Sequence, residues 1–153
     1  MKRFLASGFG VGLVWQNIFG NKKGGGTLAP LIFTILVYFL NLNVLALSIL
    51  FVSLLLIYFY SVEDHYADED PSWITLDEIV GMSLASLASP SEMLPLIAGF
   101  LVFRASDILK QPKFVSQLED YPGKLGVLYD DLGAGLLGLL SATIVHQVNL
   151  LTL

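Results

Sequence analysis

The residues best suited to chemistry in this chain are carboxylates in two adjacent pairs, Asp77 with Glu78 and Asp130 with Asp131. Each pair enters an apolar block and is flanked by small residues. One reading is that they cap helix starts, where exposed amides and the positive dipole end favour acids. The other is a cation site. Clustered carboxylates repel one another unless neutralised, and ligands that are all oxygen suit Mg²⁺ or Mn²⁺ rather than a soft metal. Two such pairs favour the cation site. The stretch "DEDPSWITLDE" at 68–78 holds five acids in eleven residues. Asp68 and Glu69 read as solvated loop charge, whereas Asp70, Asp77 and Glu78 read as site residues.

Arg104, Asp107 and Lys110 recur at intervals of three and so share one face of a helix. A surface ion-pair ladder of this kind is worth little, and at a membrane boundary the same side chains serve as snorkelling anchors. Beside a metal cluster they acquire a sharper role. Asp107 orients Arg104 and Lys110, which then hold a phosphate, the arginine through its fork and the lysine as a point charge. Glycine runs at 8–12 ("GFGVG") and 24–27 ("GGGT") would let backbone amides approach an anion, the second at a helix start. Gly133, Gly135 and Gly138 suit close helix packing. His65, in an acidic loop, is a minor acid–base candidate, and His146 reads as a packed side chain. Trp15, Trp73, Tyr60, Tyr121 and Tyr129 fit an interfacial belt.

These residues must be positioned by a chain that is 55% hydrophobic and 14% charged, with a mean hydropathy of +0.73. A soluble domain carries roughly a quarter charged residues, so the 153-residue chain reads as a single membrane-embedded domain. A net charge of −5 gives no footprint for nucleic acid. The lack of cysteine excludes thiolate catalysis, disulfides and thiolate metal sites. The start, "MKRFLASGFGVGLVW", is basic then apolar, yet it is glycine-rich, short and without a clear cleavage site, so it reads as mature protein.

Four apolar blocks follow, at 28–40, 44–60, 79–103 (with a Ser-Pro-Ser break) and 132–153. No repeat, heptad or period-2 strand pattern interrupts them, which predicts an all-α fold. Thr27 is the expected N-cap of the first block, with Pro30 in its first turn. A span needs about 20 residues, so 28–40 is either the short arm of a hairpin turning at "NLN" or part of one longer span. Charge favours hairpins at 41–43 and 89–92. They put all eight basic residues on one side, which the positive-inside rule makes cytoplasmic. The expected fold is an integral membrane helical bundle of five passes, with polar loops at 68–78, 103–113 and 121–135 converging on one side.

"DPSWITLDEIVG" (70–81), "FRASDILKQP" (103–112) and "GKLGVLYDDLGAG" (123–135) resemble the phosphatidylglycerophosphatase A family in order and spacing, and "LASGFGVG" resembles its opening motif. The resemblance covers nearly the whole chain. It implies a bacterial inner-membrane, Mg²⁺-dependent lipid phosphatase that converts phosphatidylglycerol phosphate to phosphatidylglycerol and inorganic phosphate. The matched positions are Asp70, Asp77, Glu78, Arg104, Asp107, Lys110, Asp130 and Asp131. On this reading Asp77, Glu78, Asp130 and Asp131 hold Mg²⁺, and Arg104 and Lys110 bind phosphate with Gly26 and Thr27. The attacking group is water or a carboxylate such as Asp70 or Asp107. Two stretches depart from the family, "KKGGGTLA", which lacks the usual proline and first threonine, and "KQPK"; both bear on substrate contacts. The rival readings are a divalent-cation carrier, since intramembrane acids also mark ion paths, and a noncatalytic membrane scaffold.

Overall fold

The computed structural model describes residues 1–20, 24–67, 71–88 and 92–152, with side chains described for all of these except 66 and 67. Nine α-helices occur among them: α1 (Lys2–Ala6), α2 (Val11–Phe19), α3 (Gly25–Leu40), α4 (Val44–Ser61), α5 (Asp64–Ala67), α6 (Leu76–Ala85), α7 (Met93–Leu109), α8 (Lys113–Glu119) and α9 (Lys124–Thr152). A 3₁₀ turn, Ser86–Ala88, extends α6, and no strand occurs among the described residues. Asp68, Glu69 and Asp70 lie outside the described residues, as do Lys22, Lys23 and positions 89–91 of the expected second turn.

Helix α6 is the centre of the fold. Eight of its ten residues are buried, and it packs against α3, α4, α7 and α9. Glycines let the backbones meet. A Cβ at Gly135 would press on the Gly81 carbonyl, and one at Gly138 would lie 2.8 Å from both the Ala85 methyl and the Gly99 carbonyl. Small residues at helix crossings are the normal means of association in lipid, where burying apolar surface gains little.

The helix directions follow from what their ends touch. Val37 near the end of α3, Leu47 near the start of α4 and Leu96 near the start of α7 form one apolar cluster, with Leu87 packed against it. His146, late in α9, meets Glu92 at the start of α7. At the other end of the bundle lie Gly26 of α3, Glu78 of α6, Arg104 of α7 and Asp131 of α9. So α3, α6 and α9 run away from that end, and α4 and α7 run back to it.

The surface is inverted relative to a water-soluble protein. Asp77, Asp130, Asp131, Thr75, Ser83 and Ser86 are buried, while Leu45, Ile49, Leu56, Leu101, Leu140 and Ile144 are exposed. Soluble monomers rarely expose contiguous apolar patches on this scale. Helices α4 and α9 are long and apolar enough to cross a membrane. At 1.5 Å per residue they extend about 27 and 44 Å against a hydrocarbon core of about 30 Å.

Several boundaries differ from the sequence expectations. α3 begins at Gly25 with Gly24 as its cap, so Thr27 is not the N-cap. Pro30 accordingly falls in the second turn, where its missing N–H leaves the Gly26 carbonyl without the usual i−4 bond. The third block divides into α6 and α7, and α7 continues past Phe103 to Leu109. α9 begins at Lys124, so Asp130 and Asp131 sit in its second turn rather than at a helix start. Much of 103–113 and 121–135 is thus helix, and the polar residues expected on loops are carried by helix ends. The physical reason is burial: backbone groups removed from water must be satisfied internally, and a helix does this within one segment.

Candidate metal and phosphate site

The polar end of the bundle encloses a cavity of about 1030 Å³, whose lining includes Gly24, Gly26, Thr27, Asp77, Glu78, Arg104, Asp107, Lys110, Asp130 and Asp131. Each of these is a site residue, or part of a glycine run, on the sequence reading.

Asp77 and Glu78 occupy the second and third positions of α6, after the N-cap Thr75. Thr75-x-x-Glu78 has the spacing of a capping box, in which the glutamate would bond back to the cap. Here the box is not made. The Thr75 hydroxyl is buried without a hydrogen-bond partner, and its backbone N–H donates instead to the Ala6 carbonyl at 3.2 Å. The Glu78 carboxylate lies over Gly26, where any Cβ would collide with it. A local rule is given up and the freed carboxylate is sent into the site, as happens where function overrides local preference.

Asp131 reaches the same point from α9. One ligand oxygen from each of Asp77, Glu78 and Asp131 can be chosen so that all lie within 4.8 Å of one another. Asp77 and Asp131 are buried and Glu78 is half-buried. Asp77 Oδ1, Glu78 Oε2 and Asp131 Oδ1 are inaccessible to solvent and accept no hydrogen bond. Removing a carboxylate from water costs several kcal/mol unless it is paired. Burial drives the Glu78 carboxyl well above its ordinary range, and the Asp77 charge adds to this. Burial also raises Asp77. Three converging carboxylates with unshared oxygens fit a hard divalent cation in donor type and in unmet charge.

Asp130 is oriented differently. Its Oδ2 accepts from Lys110 Nζ, and its Oδ1 accepts from the Asp131 backbone N–H at 2.9 Å. Both oxygens are engaged, and it stands outside the three-carboxylate group.

The cationic wall comes from the end of α7. Arg104 donates from Nη1 to Asp107 Oδ2 at 2.5 Å and from Nη2 to Thr27 Oγ1 at 3.0 Å, so it links α7 to α3. Its Nε is buried and has no hydrogen-bond partner. Lys110 caps α7 in the left-handed region at φ 50, which turns its side chain back over the site. Its ammonium meets Asp107 Oδ1 at 3.3 Å and Glu119 Oε2 at 3.9 Å, besides Asp130. Burial works against that charge, but the hydrogen bond and charge of Asp130 and the charges of Asp107 and Asp131 outweigh it, holding the ammonium above its usual range.

Other expected positions lie elsewhere. Cβ atoms at Gly8 and Gly12 would press on Thr75 and the Trp73 carbonyl, so "GFGVG" packs the N-terminal segment onto the start of α6 rather than cradling an anion. His65 is exposed beside Glu63, at 3.6 Å, and does not line the cavity. Conversely, Gln16, Ser72, Trp73, Glu119 and Tyr121 line it without having been named as site residues. Ser72 and Trp73 lie within the 68–78 stretch and Tyr121 opens the 121–135 stretch, both expected to converge on the site; Gln16 and Glu119 carried no signal.

The sequence profile described as phosphatidylglycerophosphatase A matches residues 4–146. A Bacteroides thetaiotaomicron protein provisionally named a phosphatidylinositol-3-phosphatase is 31% identical over 152 residues, covering 94% of this chain and 92% of that protein. No solved structure matches the chain. With the profile spanning both acid pairs and the Arg104–Lys110 wall, the chain belongs to the phosphatidylglycerophosphatase A family.

Proposed function

We propose that this protein is a Mg²⁺-dependent phosphatase acting on the phosphate monoester of a membrane lipid, with phosphatidylglycerol phosphate as substrate. The observation that carries the reading is one cavity in which three unneutralised carboxylates face an arginine–lysine wall. A divalent cation would neutralise the three carboxylates, and a monoester phosphate bound to it would lie against Arg104, whose buried Nε has no hydrogen-bond partner.

Asp77, Glu78 and Asp131 would hold Mg²⁺, which when bound polarises phosphoryl oxygens and neutralises developing charge. Arg104 directs its guanidinium at the equatorial oxygens, and Lys110 adds charge beside it. Thr27 and Asp107 fix the guanidinium plane, so little reorganisation is needed as charge shifts. Asp107 accepts from both cations, which leaves it poorly placed as a nucleophile; Asp70, the other carboxylate candidate, lies outside the described residues, and we assign the attack to water. The water oxygen bonds to phosphorus as the P–O bond to the lipid alcohol breaks. One proton of the attacking water passes to the leaving alkoxide, and the products are phosphatidylglycerol and inorganic phosphate.

The bilayer placement follows from charge. Lys2, Arg3, Arg104, Lys110, Lys113 and Lys124 lie toward the site end, whereas Glu92 and His146 mark the other. That distribution supports a cytoplasmic site in a bacterial inner membrane, with five helices passing through or into it. A carrier is disfavoured because α9 has no ionisable residue between Asp131 and His146 to continue a path.

A second reading, an inositol lipid phosphate as substrate, is favoured by the name of the Bacteroides relative. Purified protein in mixed micelles separates the two readings. Phosphate release is measured from phosphatidylglycerol phosphate and from phosphatidylinositol 3-phosphate, with and without Mg²⁺. Faster Mg²⁺-dependent release from the glycerol lipid is expected. The reverse order replaces the substrate assignment, and release no greater than that of Glu78→Ala from both lipids removes the phosphatase reading.

A further inference from the structure

Helices α1 and α2 are an element the proposed chemistry does not use, and their exposed side chains are apolar apart from Lys2, Arg3 and Asn17. Phe4, Phe9, Val14, Ile18 and Phe19 are exposed, Val14 by 57% and Ile18 by 64%. Val14 and Ile18, four residues apart, share one face of α2. The opposite face carries Gly12, packed on Trp73, and Gln16, which lines the cavity. α2 is therefore a wall with the site on one side and an apolar surface on the other.

Its level in the fold identifies what covers that surface. Ala6 packs with Tyr58, Val62 and Leu76, where α4 ends and α6 begins. Lys2 pairs with Glu63 at 2.7 Å, just past α4, and Arg3 lies 5.0 Å over the Trp73 ring. At its other end, α2 packs on α3, where a Cβ at Gly24 would strike the Trp15 indole. The two helices thus lie across the ends of α3, α4 and α6. If α4 crosses the bilayer, its last turn is at the hydrocarbon boundary, and α1 and α2 lie at that depth. Leu31, Ile32 and Ile35 of α3, the helix on which α2 packs, are exposed as well. Apolar and aromatic side chains on one face, with basic residues alongside, are the signature of a segment lying in the membrane interface.

Gly8, Phe9 and Gly10 have φ values of 62, 57 and 97 in succession. A positive φ is unusual for a bulky residue, and this turn holds the Phe9 side chain outward. Its fixing bonds come from Ser7, whose hydroxyl donates to the Phe4 carbonyl and accepts from the Gly10 N–H.

We infer that α1 and α2 are an interfacial seat: their outward face rests in the headgroup–acyl boundary of the site-side leaflet, so that the cavity behind Gln16 opens at headgroup depth. A lipid phosphate then enters by moving sideways in the leaflet rather than by leaving it. This rests on the membrane placement given above.

The chain has no cysteine, so single substitutions Val14→Cys and Ile18→Cys can carry a nitroxide in the full-length protein. Reconstituted in vesicles of phosphatidylethanolamine and phosphatidylglycerol, each label is read by collisions with oxygen and with a water-soluble nickel chelate. Ile49→Cys in mid-α4 and Asp120→Cys after α8 are the lipid and water references. At positions 14 and 18 the oxygen-to-nickel ratio should exceed that at 120 severalfold and fall below that at 49. Ratios equal to that at 120, with 49 in lipid, overturn the seat alone. Water-like ratios at 49 as well overturn the bilayer placement and the seat together. Shielding from both reagents with dipolar broadening shows a second copy on this face and also overturns it. No turnover is needed for the reading, so a failed phosphatase assignment cannot imitate any of these outcomes.

Discussion

Asp77 with Glu78 and Asp130 with Asp131 are both adjacent acids on helices at the polar end of the bundle, yet they are used differently. The first pair stays together. At the second and third positions of α6 it lies at the positive end of the helix, and both carboxylates enter the three-acid cluster. The second pair is divided. Deeper in α9, neighbours point about 100° apart, so Asp131 turns to the cluster while Asp130 turns to Lys110. One acid is left needing a cation, and its neighbour already has one. A dipeptide of like charge is therefore not a unit of function. What defines each carboxylate is the neighbour the fold sets against it.

The most direct way to break this comparison is to neutralise each half of the divided pair. Asp131→Asn should lower phosphatase turnover by about 10³-fold or more, the scale of losing a principal electrostatic contributor. Asp130→Asn should cost about 10- to 100-fold, the range for a supporting group. Equal losses, in the same assay at saturating Mg²⁺, would mean that the two acids do one job.

Gly26→Ala probes the intact pair. The new methyl collides with the Glu78 carboxylate, and displacing that oxygen should cost about 10²-fold in turnover. Glu78 is the end of a flexible side chain, so the melting temperature should change little. A large fall in melting temperature with normal turnover would make Gly26 a packing residue only.

Acidity sharpens the difference further. Burial, then the Asp77 charge, raises Glu78, and burial raises Asp77. A carboxyl raised in the folded state adds stability below its unfolded value, near 4.3 for Glu, and that stability is lost as pH rises through the folded value. Metal-free protein should therefore melt lower at pH 8 than at pH 5. Mg²⁺ should stabilise the protein more at pH 8 than at pH 5, because protons compete with the metal for these carboxyls. A Mg²⁺ effect independent of pH, followed by thermal melting in detergent, would separate metal binding from these carboxyls.

The smallest effect is expected at Thr27→Val, which removes the hydroxyl that accepts from Arg104. One hydrogen bond to a charged group is worth about 1.5–3 kcal/mol. With Asp107 still holding the guanidinium, a rise in KM at the lower end, about 10-fold, is expected, with kcat nearly unchanged. A kcat loss as large as that of Asp131→Asn would place Thr27 in the chemistry itself.

The all-helical class was legible because apolar blocks without strand periodicity leave few alternatives. The family was legible because three polar motifs recur in order. Helix limits were less so. A glycine-rich start concealed that α3 begins at Gly25, and the polar run before Leu132 concealed that α9 begins at Lys124. Sequence reading treats polar stretches near apolar blocks as loops. In the fold they continue as helix, which satisfies their backbone as it becomes buried.

By itself, the sequence determined the kinds of group available: hard oxygen ligands, one arginine–lysine face, no thiol, and long apolar segments. Those properties belong to side-chain chemistry and survive any arrangement of the chain. Only the tertiary structure decided which groups face each other. It set Glu78 over Gly26 instead of its own helix cap, gave Lys110 to Asp130, and left Asp77, Glu78 and Asp131 with unshared oxygens at one point. Such pairings depend on helix rotation and on crossings at Gly81, Gly135 and Gly138. A rotation of one residue, about 100°, would exchange Asp130 for Asp131, and no property of either residue alone determines which one faces the cluster.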